Sequence, residues 1–357
     1  MKVHPNEHRI SILQKYYREE GHSAIHLTQA PNLYWLLGGR VQVGVAGTTG
    51  ICEAIINDDG LFIITNNIES QRLIDEEFGD TGAQYIVHPW SDSADKTIVS
   101  ELLGSTPMID TQYPNALRTI RSVLDSAQER ELRSLCRDAA EVMENACVAV
   151  QKGMSEWKIA SLVAKECYER AMEPIVLFAA CDQRLFAYRH ALSTNNPFEQ
   201  LCMISLGARR VGLHTSITRM IGIGSQSDEY MRRMAATHSL AAMLYEQSTP
   251  GSSYSSLYAK LAAKYRAQGY EQELALHHQG GLAGWQVREV KITADTKGEV
   301  LANQVYAWNP SITGYKVEDT LWVGEHGNEI LTHTPNLPYV QVASGDSSWD
   351  MHSILIH

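Results

Sequence analysis

The chain has 357 residues, which is too long for one ordinary hydrophobic core and predicts two domains. Its 44% hydrophobic and 20% charged residues are typical of a globular protein and exclude an intrinsically disordered chain. The formal net charge of −11, from 30 Lys and Arg against 41 Asp and Glu, disfavours nucleic acid as the main partner, because phosphate binding depends on clustered basic residues.

Targeting signals and cysteine spacing further restrict the class of protein to which the chain can belong. No stretch approaches the roughly 18 apolar residues of a membrane span, and the N-terminus, MKVHPNEHRISILQKYY, lacks an apolar signal core. We therefore expect a cytoplasmic protein with no membrane partner. The six cysteines form no CxxC pair and most lie in apolar segments, which predicts reduced, buried thiols.

The first part of the chain alternates helix and strand patterns. EHRISILQKYYREEG predicts a helix, SAIHLT a strand, and NLYWLLGG a short helix or turn. ICEAIIND and LFIITNN, joined at Asp59-Gly60, predict a hairpin, and IESQRLIDEEFG and QYIVHPW a helix and a strand. These elements indicate a small α/β domain, placed at residues 1–122.

The second part, residues 123–357, predicts a larger α+β domain. A long amphipathic helix comes first, with apolar residues three and four apart, and a second helix follows with Ser155 as its N-cap. A strand-rich block covers about residues 175–224, helices follow over 228–247 and 253–268, and strands return from LALHHQGG to YKVEDTLWVG.

Four separated motifs resemble the pita-bread superfamily, which includes methionine aminopeptidase, aminopeptidase P, prolidase and creatinase. They are GMSEWKIA, GLHTSITRMIGIG, HHQGGLAGWQVRE and WNPSITGYKVEDT, in the order and spacing of that superfamily. The first 120 or so residues resemble the amino-terminal domain of prolidase and creatinase. The resemblance implies a fold of class α+β, with a pita-bread domain after a smaller α/β domain, and a homodimer.

The peptidases of this superfamily bind two metal ions through two Asp, one His and two Glu. By position, the resemblance puts the Asp ligands on Ser205 and Ser216, the His on Gly281, and the first Glu on Asn309. Glu318 alone keeps its type. A pair of divalent cations needs bridging carboxylates, so we predict no metal and no cofactor. A site rebuilt from His214, His277, His278 and Glu318 is the alternative.

Small polar residues stand where the metal ligands would be. Strand alternation puts His214, Ser216 and Thr218 on one face, and turns Asp319 away from Glu318. With Ser205 and Asn309 they would line a pocket refitted for a polar ligand. The other interpretation is that these groups only hydrogen-bond to one another and fill a cavity that has no function. Glycines at 280, 281 and 284 would let the backbone approach a ligand closely.

Creatinase shows that this scaffold works without metal. The resemblance puts its catalytic His on His190, in FAYRHALSTNNPFEQLCMIS, and His has a pKa suited to proton transfer near neutrality. His277 or His278 would contact the substrate, or be structural. Arg288 would hold a carboxylate, or pair with Glu289 or Glu318.

Three departures separate the chain from creatinase itself. Gly281, Thr218 and Asn309 replace the Arg and the two Glu of creatinase, so creatine is a disfavoured substrate. Arg40 lies near the position from which creatinase supplies an Arg across its dimer interface, and an exposed Arg without that role is the alternative.

These residues predict a metal-independent, creatinase-like hydrolase of a small polar C–N substrate such as an amide or amidine. The candidate catalytic residues are His190, Glu318 and His277. The candidate substrate-binding residues are His278, Arg288, Asn309, Ser205, Ser216, Thr218, His214 and Arg40. The alternatives are a non-catalytic small-molecule-binding protein, a metal-independent lyase or isomerase, and, as the most distant, an Xaa-Pro metallopeptidase.

Overall fold

The computed structural model describes residues 7–79 and 81–357. The chain divides into two compact units, one ending at Arg121 and one beginning at Ser122. Strands and helices occur in both units, so the fold class is α+β as predicted. Among the described residues, no helix combines the length and apolar character needed to cross a membrane.

The first unit is built on one five-stranded sheet. Its elements are α1 (Glu7–Glu19), β1 (Ala24–Gln29), α2 (Ala30–Leu37), β2 (Thr49–Asn57), β3 (Gly60–Asn66), α3 (Ser70–Arg72), a π-helical segment (Leu73–Phe78), β4 (Gln84–His88), α4 (Lys96–Leu103), β5 (Pro107–Ile109) and α5 (Pro114–Ser122). The strand order is β4-β3-β2-β1-β5, with β3 antiparallel to β2 as the predicted hairpin. The single helix predicted after β3 is instead a short α-helix followed by the π-helical segment.

The second unit packs helices against two four-stranded sheets. Its helices are α6 (Ser126–Ala149), α7 (Glu156–Glu169), α8 (Gln183–Ala187), α9 (Asp228–Gln247), α10 (Tyr254–Ala267) and a 3₁₀ segment (Glu271–Leu276). Its strands are β6 (Glu173–Cys181), β7 (Leu201–Arg210), β8 (Leu213–Gly222), β9 (Gly280–Ala283), β10 (Gln304–Trp308), β11 (Ser311–Ile312), β12 (Tyr315–Lys316), β13 (Asp319–Gly324), β14 (Gly327–Ile330), β15 (Tyr339–Ser344), β16 (Ser347–His352) and β17 (Leu355–Ile356).

The helix ends follow the capping chemistry of the sequence. The Ser155 side chain accepts a hydrogen bond from the Lys158 amide at the start of α7, as predicted for an N-cap. Asp125 and Gln128 form a capping box at the start of α6. All six cysteines are buried with free thiols, as predicted.

Strand β8 lies at the centre of the candidate site. It pairs with β7 and β17 in the sheet ordered β17-β8-β7-β6. Its residue Thr218 also forms an isolated antiparallel bridge with Glu318, immediately before β13 of the sheet ordered β14-β13-β10-β9. The two sheets therefore meet where Ser205, Thr218 and Glu318 stand side by side.

Candidate functional site

Three side chains form a hydrogen-bonded row across the junction of the two sheets. Ser205 on β7 faces Thr218 on β8 in the strand register, and their hydroxyl oxygens are 2.7 Å apart. The Thr218 hydroxyl donates to Oε2 of Glu318 at 2.7 Å, so the Ser205 hydroxyl donates to Thr218. Each of these side chains is buried. Three of the predicted site residues thus lie together.

Two basic side chains bind the Glu318 carboxylate. Nη2 of Arg288 donates to Oε1 at 2.8 Å, and Nζ of Lys316 donates to Oε2 at 2.7 Å. The three side chains are each less than a tenth exposed. This Glu318 cluster, consisting of Glu318, Arg288 and Lys316, has one negative and two positive charges and therefore carries a net positive charge.

The cluster sets the ionisation of its members. Burial by itself would raise the pKa of Glu318, but the charge of Lys316 and then of Arg288 outweighs burial and holds that pKa far below its usual range. Burial lowers the pKa of Arg288, while Glu318 opposes this shift. Glu318 is therefore an ionised counter-ion and is unsuited to act as a general base.

Asp319 points away from Glu318, as strand alternation predicts. Its carboxylate accepts a hydrogen bond from Nη2 of Arg219 at 2.9 Å and one from the Thr332 hydroxyl at 2.8 Å. These contacts form a second buried ion pair on the other face. Asp319 therefore contributes no oxygen to the Glu318 cluster.

The remaining polar residues of β8 have different neighbours. The Ser216 hydroxyl accepts a hydrogen bond from Nη1 of Arg288 at 3.1 Å, which ties it to the Glu318 cluster. His214 is buried near the start of the strand, with Nδ1 3.3 Å from the Gly284 carbonyl oxygen. Burial lowers the pKa of His214 to about 3, so the ring is neutral at physiological pH.

Three histidines form a second group, which we name the histidine cluster: His190, His277 and His278. The Nε2 atoms of His190 and His277 are 3.0 Å apart, a hydrogen-bond distance. The rings of His277 and His278 stack with centroids 4.6 Å apart. His190 is exposed, His278 is half-buried and His277 is buried. His190 and His277, both candidate catalytic residues, therefore lie in direct contact.

Burial and nearby cations keep these imidazoles neutral. Burial, followed by the charge of Lys316, lowers the pKa of His277 to about 2. Burial and then Arg288 lower the pKa of His278 to about 4. The pKa of the more exposed His190 is also lowered, mainly by burial and then by Lys316. A neutral imidazole offers one N–H donor and one lone pair, as proton transfer requires.

The segment that carries His190 is fixed by buried Glu156 of α7. One oxygen of this carboxylate accepts hydrogen bonds from the Cys181 amide and from Nε of Arg184, at 2.8 and 3.0 Å. The other accepts two hydrogen bonds from Thr194, at 2.8 Å each. Residues on both sides of His190 are thus held by one side chain, and Arg189 is further held by an ion pair with Glu273.

Asn309 keeps an unpaired buried oxygen. The residue is 3% exposed, its backbone amide donates to the Gln279 carbonyl at 3.0 Å, and its Oδ1 has no hydrogen-bond partner in the described part of the chain. Buried polar atoms without a partner are uncommon in native proteins and point to a missing water or ligand.

The residues present do not fit the metal pair that the family resemblance implies. Both oxygens of Glu318 already bind cationic side chains. Gly281, at the position of the family's His, has φ +147°, and a Cβ there would lie 2.2 Å from the Val290 carbonyl oxygen. No side chain fits at that position without a backbone shift. The donor set lacks the bridging carboxylates that two divalent ions need.

In the predicted refitted pocket, Arg288 and Lys316 already bind both oxygens of Glu318. The cavity beside Lys316 and His277 measures about 20 Å³, which is room for one water molecule. Gly280 and Gly281 allow close packing against the carbonyls of Ala307 and Val290, so the need for glycine at these two positions has a source within the protein itself. Their predicted role beside a ligand stays a prediction.

Arg40 belongs to the first unit and has partners there. Its Nε donates to Glu77 at 2.7 Å, its backbone amide donates to the same carboxylate, and its Nη2 lies 3.5 Å from Glu76. Its side chain is 60% exposed. Its role at a dimer interface stays a prediction.

Lys316 is the site residue that the sequence analysis missed. It lies two positions before Glu318, so strand alternation was a signal that both side chains share one face. Arg189 was missed as well, and its partner Glu273 lies 84 residues away, a distance over which the sequence carries no signal.

Comparisons with known proteins agree with this architecture. The family model "Metallopeptidase family M24" matches residues 130–325, which is more than half of the chain. A search of curated proteins finds no match.

Solved structures show the same fold over nearly the whole chain. Prolidase from Pyrococcus horikoshii OT3 has a TM-score of 0.74 and 17% identity, covering 92% of this chain and 99% of its own. X-Pro aminopeptidase from Thermotoga maritima MSB8 has a TM-score of 0.73 and 17% identity, covering 98% and 99%. The N-terminal domain of the FACT complex subunit SPT16 from chickpea, Cicer arietinum, has a TM-score of 0.65 and 11% identity, covering 92% and 95%.

The matches establish the pita-bread fold preceded by a prolidase-type N-terminal domain. The family match rests on the residue range that contains the Glu318 cluster and the histidine cluster, up to Gly324 and Glu325 at the end of β13. The chain belongs to metallopeptidase family M24.

Proposed function

We propose that the protein is a hydrolase of C–N bonds in a small polar substrate, with His190 transferring the proton and without the family's metal pair. The observation that carries this proposal is the 3.0 Å contact between Nε2 of the exposed His190 and Nε2 of the buried, neutral His277. An accessible imidazole held by a second imidazole has the arrangement of a general base with a positioning group.

The proposed reaction uses groups of this chain. Neutral His190 takes a proton from water as the water oxygen bonds to the substrate carbon, and then gives the proton to the leaving nitrogen as the C–N bond breaks. His277 fixes the tautomer and orientation of His190. Lys316, which lines the same small cavity as His277, stabilises the developing oxyanion by its charge, and Asn309 lies in the same unit as a further polar contact.

The remaining candidate residues have supporting roles in this proposal. Glu318 holds Arg288 and Lys316 in place through its carboxylate. Ser205, Ser216 and Thr218 complete the hydrogen bonds of that cluster. His278 contacts the substrate beside His190, and Arg288 attracts a substrate carboxylate by its charge.

The first experiment follows amine release from a panel of small amides, ureas and amidines, with and without a chelator. We expect chelator-resistant turnover and a loss of about 100-fold or more in kcat for His190→Ala, because general acid–base catalysis contributes about 10²–10⁴-fold. His326→Ala, an exposed histidine in the turn after β13, is the matched control and should have unchanged kcat. Unchanged turnover in His190→Ala, or turnover that requires added Mn²⁺ or Co²⁺, contradicts the proposal.

A second candidate function is a non-catalytic binding protein. The observation that favours it is that the charged atoms of the Glu318 cluster are paired with one another, which leaves them unavailable for chemistry. The similarity to a FACT complex subunit also shows that this fold occurs in a protein that is not named as a peptidase. Saturable binding of a panel compound with no turnover by the wild-type protein would favour this candidate.

A further inference from the structure

The histidine cluster has the composition of a transition-metal site. We infer that His190, His277 and His278 bind one transition-metal ion, such as Zn²⁺, at a place separate from the family's metal pair. One ring nitrogen from each residue lies within 4.8 Å of the other two. Imidazole suits zinc, copper and nickel, and three histidines with an open fourth position form a known type of zinc site.

The spacing of the nitrogens is close to what one ion requires. Two nitrogens bound to a tetrahedral Zn²⁺ at about 2.1 Å lie about 3.4 Å apart. The Nε2 atoms of His190 and His277 are 3.0 Å apart and need to separate by only a few tenths of an ångström. The ligand nitrogen of His278 lies within 4.8 Å of the other two, so the gap to close is at most about 1.4 Å. Side-chain rotation of the exposed His190 and the half-buried His278 closes it.

Unpaired ring nitrogens in the cluster point to a missing partner. Nδ1 of His277 and Nδ1 of His278 are buried and have no hydrogen-bond partner among the described residues. Unpaired buried polar atoms are rare and call for an ion or a water. Because Nε2 of His277 faces His190 and would hold the ion, the ion can satisfy Nδ1 of His278 directly, and Nδ1 of His277 is left to a water.

Nearby positive charge weakens metal binding at the histidine cluster without preventing it. Lys316, Arg288 and Lys291 place positive charge near the imidazoles, and Glu318 offsets part of it. Arg288 and Lys316 are both paired with Glu318, which leaves exposed Lys291 as the cation to remove. Replacing Lys291 should therefore strengthen metal binding by roughly two- to fivefold, since a surface charge acts weakly through water.

Metal binding and proton transfer would compete for the same atoms. A metal on Nε2 of His190 and His277 displaces the hydrogen bond that joins them and leaves the ring proton of His190 on Nδ1, so that ring keeps no lone pair to accept a proton. The ion would therefore inhibit the hydrolysis, a consequence that rests on the proposed function. The binding itself does not depend on that function and is measured without substrate.

The experiment titrates Zn²⁺ into the full-length protein in competition with a chromophoric chelator, and Co²⁺ separately as a spectroscopic probe. We expect one equivalent of tightly bound metal and visible absorption bands of low-symmetry, four-coordinate cobalt. His190→Ala and His278→Ala should each weaken binding by about 100-fold or more, since loss of even an outer-shell group costs about 10–100-fold. Lys291→Gln should strengthen binding, and His326→Ala should leave it unchanged.

Circular dichroism and thermal unfolding show whether each variant is folded. Because His190 is exposed, His190→Ala is the substitution least coupled to folding. Stoichiometric binding that His190→Ala abolishes supports the site. Binding that survives both histidine substitutions, or the absence of one-equivalent binding in the wild type, overturns it. Tight binding that raises turnover would retain the site and overturn the metal-independent hydrolase instead.

Discussion

Glu318 is the candidate-site residue whose chemistry differs most from its family role. The resemblance makes it a metal ligand, but its two oxygens bind Arg288 and Lys316. Two monovalent side chains thus neutralise a carboxylate that in the peptidases faces two divalent ions. Because the charges of the cluster belong to side chains of the protein, substitutions can test how much each charge contributes to stability.

Removing the carboxylate should cost more stability than removing one cation. Glu318→Gln leaves two buried cations unneutralised and should lower the free energy of unfolding by about 3–5 kcal/mol. Lys316→Met leaves a balanced Glu318–Arg288 pair and should cost about 1–3 kcal/mol, the value of one hydrogen bond to a charged group. Urea unfolding of both variants measures the difference, and equal losses would show that the net charge of the cluster is not what matters.

Much of the site was predictable at the level of residues. Strand alternation and motif position identified Ser205, Ser216, Thr218 and Glu318, which the structure brings together. The partner of Arg288 was left open between Glu289 and Glu318, because it depends on the path of the backbone after β9, for which the sequence has no periodic pattern. The contact of Lys316 with Glu318 was not predicted, because lysine has no place among the family's metal-binding positions and its motif gives no partner for it.

Strand β9 is the element that most strongly constrains what the site can contain. Gly281 pairs with Ala307 of β10 on one side and packs against the Val290 backbone on the other. Its left-handed φ and the close carbonyl oxygen act together, so the cost of a side chain has two sources.

Gly281→Ala should lower the free energy of unfolding by about 3 kcal/mol or more, because strain of about 1–2 kcal/mol adds to a clash that must displace backbone. Gly153→Ala is the matched control, since that glycine has φ +87° and open space around it, and it should cost about 1–2 kcal/mol. Equilibrium unfolding compares the two. Similar losses would mean that the Val290 contact relaxes without cost.

Long periodic elements were predicted best. The helices α6, α7, α9 and α10 and the hairpin of β2 and β3 follow from apolar spacing, caps and turns in the sequence. The π-helical segment after α3 and the 3₁₀ segment before β9 were not predicted, because tertiary packing selects these irregular helices. The second of them lies directly before His277, so the position of the histidine cluster also escaped prediction.

At the scale of the whole molecule, buried neutral histidines couple folding to pH. His238 of α9 is 1% exposed, with Nε2 2.9 Å from the Tyr315 hydroxyl and 3.1 Å from the His352 carbonyl oxygen. Burial lowers its pKa to about 4. The unfolded chain therefore takes up a proton near pH 6.5 and the folded chain does so only near pH 4.

Because the unfolded state binds the proton first, the stability due to neutral His238 is full above pH 6.5 and decreases as the pH falls toward 4. Between pH 7 and pH 5, the free energy of unfolding of His238→Gln should fall by about 2 kcal/mol less than that of the wild type. Urea unfolding at both pH values measures this difference. An identical pH dependence in the variant would contradict this origin. His214, with a pKa of about 3, adds to the dependence that remains in the variant.

The division into two domains and the α+β class were predictable from length and element order, while the charge balance of the buried site was not. Composition records a net charge of −11, but the Glu318 cluster is locally positive. Local charge depends on which long-range partners meet, and a count along the chain does not contain that information.

The close passage of Gly281 against Val290 also limits how this site could be re-engineered. A histidine placed at position 281, where the family has a metal ligand, would first require a new path for the neighbouring backbone. A variant with that histidine alone would fold less well without holding a metal pair. The family's ligands would therefore have to be installed together with a rebuilt backbone, and not by single substitutions.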